Sequence, residues 1–93
     1  MWLVKILLSS LVAFLSVIAQ AQDASDAKLR LQQGKLIEAA EAYSKLIESH
    51  PNDPDHWLGR GLVYARQGQW HAATHDLEKA VSLAPGYADA WSA

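Results

Sequence analysis

Residues 54–85 read PDHWLGRGLVYARQGQWHAATHDLEKAVSLAP, and displaced copies of the same pattern flank them on both sides. Gly34 recurs as Gly68, Ala39 as Ala73, Pro51 as Pro85 and Trp57 as Trp91, a period of roughly 34 residues. Helical spacing puts Trp57, Gly61 and Tyr64 on one stripe and Trp70, Ala73, Leu77, Ala80, Val81 and Ala84 on another, so the stretch predicts two amphipathic helices. Gly61 and Ala73 are small where the two axes come closest; a larger side chain there would force them beyond the usual ~8–10 Å. Gly68 supplies the turn, since a residue free to take positive φ lets the chain leave one helix and enter the next within a few residues. Pro85, followed by Gly86, stops the second helix.

Trp57, Gly61, Tyr64, Gly68, Ala73, Leu77, Ala80 and Pro85 stand at the spacings of a tetratricopeptide repeat, which this segment closely resembles. The match is specific because positions of mixed chemical type must satisfy both a pattern and a period. The resemblance implies an all-α fold of helix-turn-helix repeats stacked as a short solenoid, acting as a protein–protein interaction module. One departure stands out: Arg60 occupies the place, just before Gly61, where the pattern usually shows leucine. An arginine whose aliphatic stem covers apolar surface while its guanidinium reaches water accounts for it, and a functional arginine is the competing reading.

Upstream, Ala27, Gly34, Leu36, Ala39, Tyr43, Leu46 and Pro51 match the repeat, but Asp23 stands for the signature Trp and Arg30 for its Tyr. A terminal repeat with one face toward water tolerates such a degenerate first helix. Its second helix is better formed, with Leu36, Ala39, Ala40, Tyr43, Leu46 and Ile47 at helical spacing. At the joint His50-Pro51-Asn52-Asp53-Pro54, Asp53 is the expected N-cap and Pro54 the first helical residue. Downstream, Ala88–Ala93 opens a third unit. The expected organisation is thus a signal peptide at 1–21, a degenerate first repeat at 22–53, a second repeat at 54–87 and the start of a truncated third at 88–93. Because a repeat cannot bury its face alone, the chain is expected to be the N-terminal piece of a longer protein or the product of a truncated reading frame.

Residues 1–21, MWLVKILLSSLVAFLSVIAQA, carry one positive charge at Lys5, an apolar run from Ile6 to Ile18, and then Ala19-Gln20-Ala21. That is the form of a hydrophobic signal helix with cleavage after Ala21, which implies a periplasmic or secreted protein. The alternative is a membrane anchor over residues 2–19, against which Lys5, Ser9, Ser10 and Ser16 weigh. Contact with a membrane is expected only through this segment, if uncleaved.

The remaining composition excludes several chemistries. Eight Lys and Arg against ten Asp and Glu give a net charge of −2, with no basic stripe, so nucleic acid is not an expected partner. No cysteine is present, which rules out disulfides, thiol catalysis and cysteine-based zinc sites. His71 and His75, one helical turn apart, have the spacing of a two-histidine metal site. Ala72 nevertheless stands where a metalloprotease helix carries its glutamate, and the repeat pattern turns both histidines outward, so a solvated face is expected and no metal or cofactor. His50 and His56 have no nucleophile beside them, and no catalytic set can be assembled: the chain reads as no enzyme.

Packing is the expected role of Tyr43, Trp57, Tyr64 and Trp70, leaving only Trp91 bare. The resemblance places the candidate binding surface on the first helix of each unit, whose free stripe lines the inner, concave wall of the array. Here that stripe carries Ala24, Lys28, Leu31 and Gln32, then Asp55, Leu58, Leu62, Ala65 and Arg66. Some relatives clamp a chaperone's C-terminal carboxylate with Lys and Asn on this wall; Leu58 and Leu62 stand at the matching places, so that specificity is not carried over. The expected partner is a peptide or extended segment of another exported protein. Two other readings stay open, the recruiting segment of a longer exported enzyme and a structural part of an envelope complex.

Overall fold

The computed structural model describes Leu15 and residues 22–86, and these are helical and turn residues throughout, with no strand among them. The segment expected to be a signal helix, Leu15 apart, and the expected start of a third repeat lie outside the described residues. Helix α1 covers residues 22–32, α2 Leu36–Ser49, α3 Pro54–Arg66 and α4 Trp70–Leu83. They form two successive hairpins, α1–α2 and α3–α4, as the repeat spacing predicts. Among the described residues no helix is long and apolar enough to cross a membrane.

The two hairpin turns are built alike. Gly34 and Gly68 take φ of 77° and 76°, the left-handed conformation that closes a helix C-terminus. In the first turn the Lys35 N–H reaches back to the Arg30 carbonyl at 2.9 Å and the Gly34 N–H to Leu31 at 3.1 Å. In the second, Gln69 reaches Tyr64 at 2.9 Å and Gly68 reaches Ala65 at 3.1 Å, so the carbonyls orphaned at each helix end are satisfied by the same pair of bonds.

The joint between the hairpins is stiffened by side chains. Asp53 Oδ1 accepts from the Asp55 N–H at 3.0 Å and Pro54 opens α3, which is the cap expected from the sequence. The Trp57 indole N–H donates to the Pro51 carbonyl at 2.8 Å, bridging from the first turn of α3 back to the link that follows α2.

One core runs through both hairpins, formed by Ala27, Leu31, Ala39, Tyr43, Leu46 and Val63. Gly61 meets α4 as expected: a Cβ placed on it would come 3.4 Å from the Ala73 carbonyl oxygen and 2.9 Å from Leu77 Cδ2. On α2, Ala39, Tyr43, Leu46 and Ile47 are buried in agreement with their spacing. The stripe assigned to α4 needs correction. Trp70 is 69% exposed and Val81 is exposed too, because the face of α4 that meets α3 is centred on Ala73, Asp76 and Ala80. Trp70 opens the helix beside that face rather than within it.

Arg60 is the second correction, and its reason is Asp76. It is 1% exposed, and Arg60 reaches it from α3 through two bonds, Nε to Oδ2 at 2.6 Å and Nη2 to Oδ1 at 2.9 Å. Arg60 Nη1 also lies 3.3 Å from Ser44 Oγ on α2, and its guanidinium stands 5.2 Å from the Trp57 ring and 5.6 Å from that of Tyr64. Arg60 therefore does not carry its charge out to water. It replaces an apolar contact by a two-pronged charge-assisted pair that links three helices. The hydrogen bond to Asp76 holds the guanidinium protonated more firmly than usual, outweighing the effect of burial.

Candidate functional site

The first helices of the two hairpins, α1 and α3, border a groove of about 480 Å³. Ala24, Lys28 and Leu31 line it from α1, and Asp55, Leu58 and Leu62 from α3. These six belong to the free stripe read from the sequence. Gln32, Ala65 and Arg66, placed on the same stripe by spacing, do not line the groove. Gln32 is exposed and Ala65 half-buried, while Arg66 Nη1 donates to the Leu31 carbonyl at 3.0 Å, tying the end of α3 to the end of α1. Leu31 itself is 7% exposed and belongs to the core cluster, so it contributes a buried edge rather than a free side chain. The accessible apolar surface is supplied by Leu62, 42% exposed, and half-buried Leu58.

Periodicity alone does not reveal the contribution of α2 to this groove. Tyr43 is buried, yet it lines the groove because α3 carries Gly59 where the ring passes: a Cβ on Gly59 would fall within the Tyr43 ring. Glycine inside a helix lowers its stability by roughly 0.5–1 kcal/mol relative to alanine, so its presence here goes with the aromatic ring packed on its backbone. Burial, and then the charge of Asp55, push the Tyr43 phenol above its ordinary value and keep it neutral. Asp53 and His56 complete that end of the groove, His56 being buried with Nε2 3.3 Å from Asp53 Oδ2. A pairing of Gly59 with a large aromatic in the preceding helix is the signal that could have placed Tyr43 here.

On the opposite side, His71 and His75 are exposed, as expected. His75 Nδ1 lies 3.2 Å from Asp76 Oδ1 and its ring stands edge-on to Trp57 at 6.2 Å. Among the described residues no group of three or more His, Asp or Glu converges in the manner of a metal site.

A family profile described as tetratricopeptide repeat matches residues 29–93. The chain is 37% identical over 68 residues to human tetratricopeptide repeat protein 16, a match that covers 72% of this chain and 8% of that protein. It is 31% identical over 75 residues to a tetratricopeptide repeat and J domain-containing co-chaperone of Cryptococcus neoformans, covering 81% of this chain and 14% of the relative. A small glutamine-rich tetratricopeptide repeat-containing protein of Mycosarcoma maydis is 35% identical over 54 residues, covering 58% and 15%. No solved structure matches the chain significantly. The chain belongs to the tetratricopeptide repeat family, whose repeats generally mediate protein–protein interaction. It spans only a small part of the length of each of these relatives.

Proposed function

We propose that this chain is an exported interaction module that holds a peptide or an extended segment of another protein along the groove between α1 and α3, and does no chemistry of its own. The observation that carries the reading is the convergence of Ala24, Lys28, Leu31, Asp55, Leu58 and Leu62 on one groove with an apolar middle and charged margins. That is the usual division of labour in recognition, apolar anchors within a polar rim. Leu58 and Leu62 offer the anchoring surface and are not members of the core cluster.

Changing Leu58 and Leu62 together to aspartate is therefore expected to abolish capture of the partner while leaving helicity, read by circular dichroism, unchanged. Retained binding by that variant, combined with loss when His71, His75 and Glu78 are altered, would put the binding surface on the other side of the solenoid.

Export rests on the apolar run and the Ala19-Gln20-Ala21 site. Mass spectrometry of the mature protein should find Gln22 at its N-terminus, and a chain still beginning at Met1 in the membrane fraction would favour the anchor.

A further inference from the structure

One stripe of α4, beside its contact with α3, is apolar and uncovered among the described residues. Trp70, Thr74, Leu77 and Val81 fall within it by helical spacing, with Glu78 at its edge, and Thr74, Leu77, Glu78 and Val81 line a shallow depression there. Trp70 and Val81 are exposed and Leu77 is half-buried. One period earlier the matching stripe of α2 is Leu36, Ala40, Tyr43, Ser44 and Ile47, and each of these is more deeply buried than its counterpart on α4. The cover on α2 is α3: the Gly59 backbone lies on the Tyr43 ring, and Arg60 Nη1 stands 3.3 Å from Ser44 Oγ. Helix α4 thus repeats the face on which α3 is seated, without a helix upon it among the described residues.

We propose that residues 87–93 of this chain dock on that stripe as the opening of α3 docks on α2, with Ala93 against Leu77 and the Trp91 indole N–H donating to the Pro85 carbonyl. The shift that carries α2 onto α4 carries residues 53–59 onto 87–93, Trp57 onto Trp91 and Pro51 onto Pro85, and the tetratricopeptide profile matches through residue 93. Size changes on both sides of the contact together. A Cβ on Gly59 would fall within the Tyr43 ring, whereas Leu77 has no ring and the residue opposite it, Ala93, has a Cβ to fill the space. Charge argues against a second copy stacked head to tail, because its α1 would bring Asp26, the counterpart of Arg60, against Glu78. Residues 87–93 reach the Leu77 and Val81 end of the stripe; Trp70 and Thr74 lie beyond them, since the corresponding end of α2 is met by Tyr64, further along α3. The docking is independent of the groove between α1 and α3, which lies on other residues.

The chain has no cysteine, so a single introduced thiol reports the cover. In the full 93-residue chain, Val81→Cys is expected to react with a maleimide on the order of tenfold more slowly than Val81→Cys combined with Trp91→Ala, because a segment held down most of the time shields what lies beneath it. Ala93→Asp, which sets a carboxylate on Leu77, should speed the reaction as well while keeping the indole, and it carries the test if circular dichroism shows the Trp91→Ala chain to have lost helicity. His71→Cys, exposed on the outer side of α4, should react at one rate with or without either change. A Val81→Cys thiol that reacts equally fast in the presence and absence of those changes overturns the proposal. So does protection that survives both changes and deepens with protein concentration, which would put a second copy on the stripe.

Discussion

Replacing Arg60 with leucine, the residue the repeat pattern favours there, is expected to destabilise the chain by about 3–5 kcal/mol, a large share of the total stability of a small domain. The substitution looks like a return to the pattern, but it would leave the Asp76 side chain almost fully enclosed and deprived of both guanidinium bonds. The neighbouring His75 ring, largely in water, offers one contact at 3.2 Å and does not replace a two-pronged pair. Arg60 keeps some exposure, which places the loss toward the lower end of that range. The reverse change, Asp76→Leu, should be milder, because a released arginine can extend its stem toward solvent. Changing both residues to leucine should recover much of the loss, since an apolar pair of fitting volume commonly equals a buried ion pair. Urea denaturation at neutral pH reads all three variants. Equal midpoints for the wild type and the Arg60→Leu chain would show that the pair contributes nothing.

Gly59→Ala is expected to destabilise by about 1–3 kcal/mol, the usual consequence of forcing extra volume into a packed place. Helix propensity argues the other way: alanine in a helix interior is worth about 1 kcal/mol over glycine. Overlap with the Tyr43 ring decides the sign, because the ring would have to leave its position between α2 and α3. Combining Gly59→Ala with Tyr43→Leu should restore part of the stability, as a shorter side chain frees the space. Thermal melts distinguish the two effects, and a Gly59→Ala chain that melts above the wild type would mean that propensity alone governs this position.

The hairpins were legible because the residues that fix them recur with a period. Gly34 and Gly68 mark the two turns, Asp53 with Pro54 marks the start of α3, and Gly61 opposite Ala73 marks the closest approach of two helices. Such residues act through backbone geometry and short-range packing, which a linear pattern records well. The groove was legible in outline, since the stripe read from spacing supplies Ala24, Lys28, Asp55, Leu58 and Leu62. What a stripe does not record is depth. Leu31 shares the phase of the groove residues but sinks into the core, and Arg66 turns back to bond the Leu31 carbonyl. Trp70 was misread for the complementary reason, a large apolar residue at the opening of a helix being taken as buried when its side of the helix faces water. Asp76 was missed because its burial depends on Arg60, a partner on another helix. Neither residue alone announces the pair, although the loss of the usual leucine at Arg60 was the visible half of it.

The indole of Trp57 lies on none of the groove's walls, yet its bond to the Pro51 carbonyl spans the joint between the hairpins that border it. A stacked array takes its curvature from a small rotation repeated at every joint. Here that rotation is braced across the link by the Trp57 bond to Pro51, together with the Arg66 bond to the Leu31 carbonyl and the Arg60 contact with Ser44, so part of the bracing of α1 against α3 sits away from the groove itself. A change at the joint is therefore expected to alter the calibre of the groove while the residues lining it stay the same.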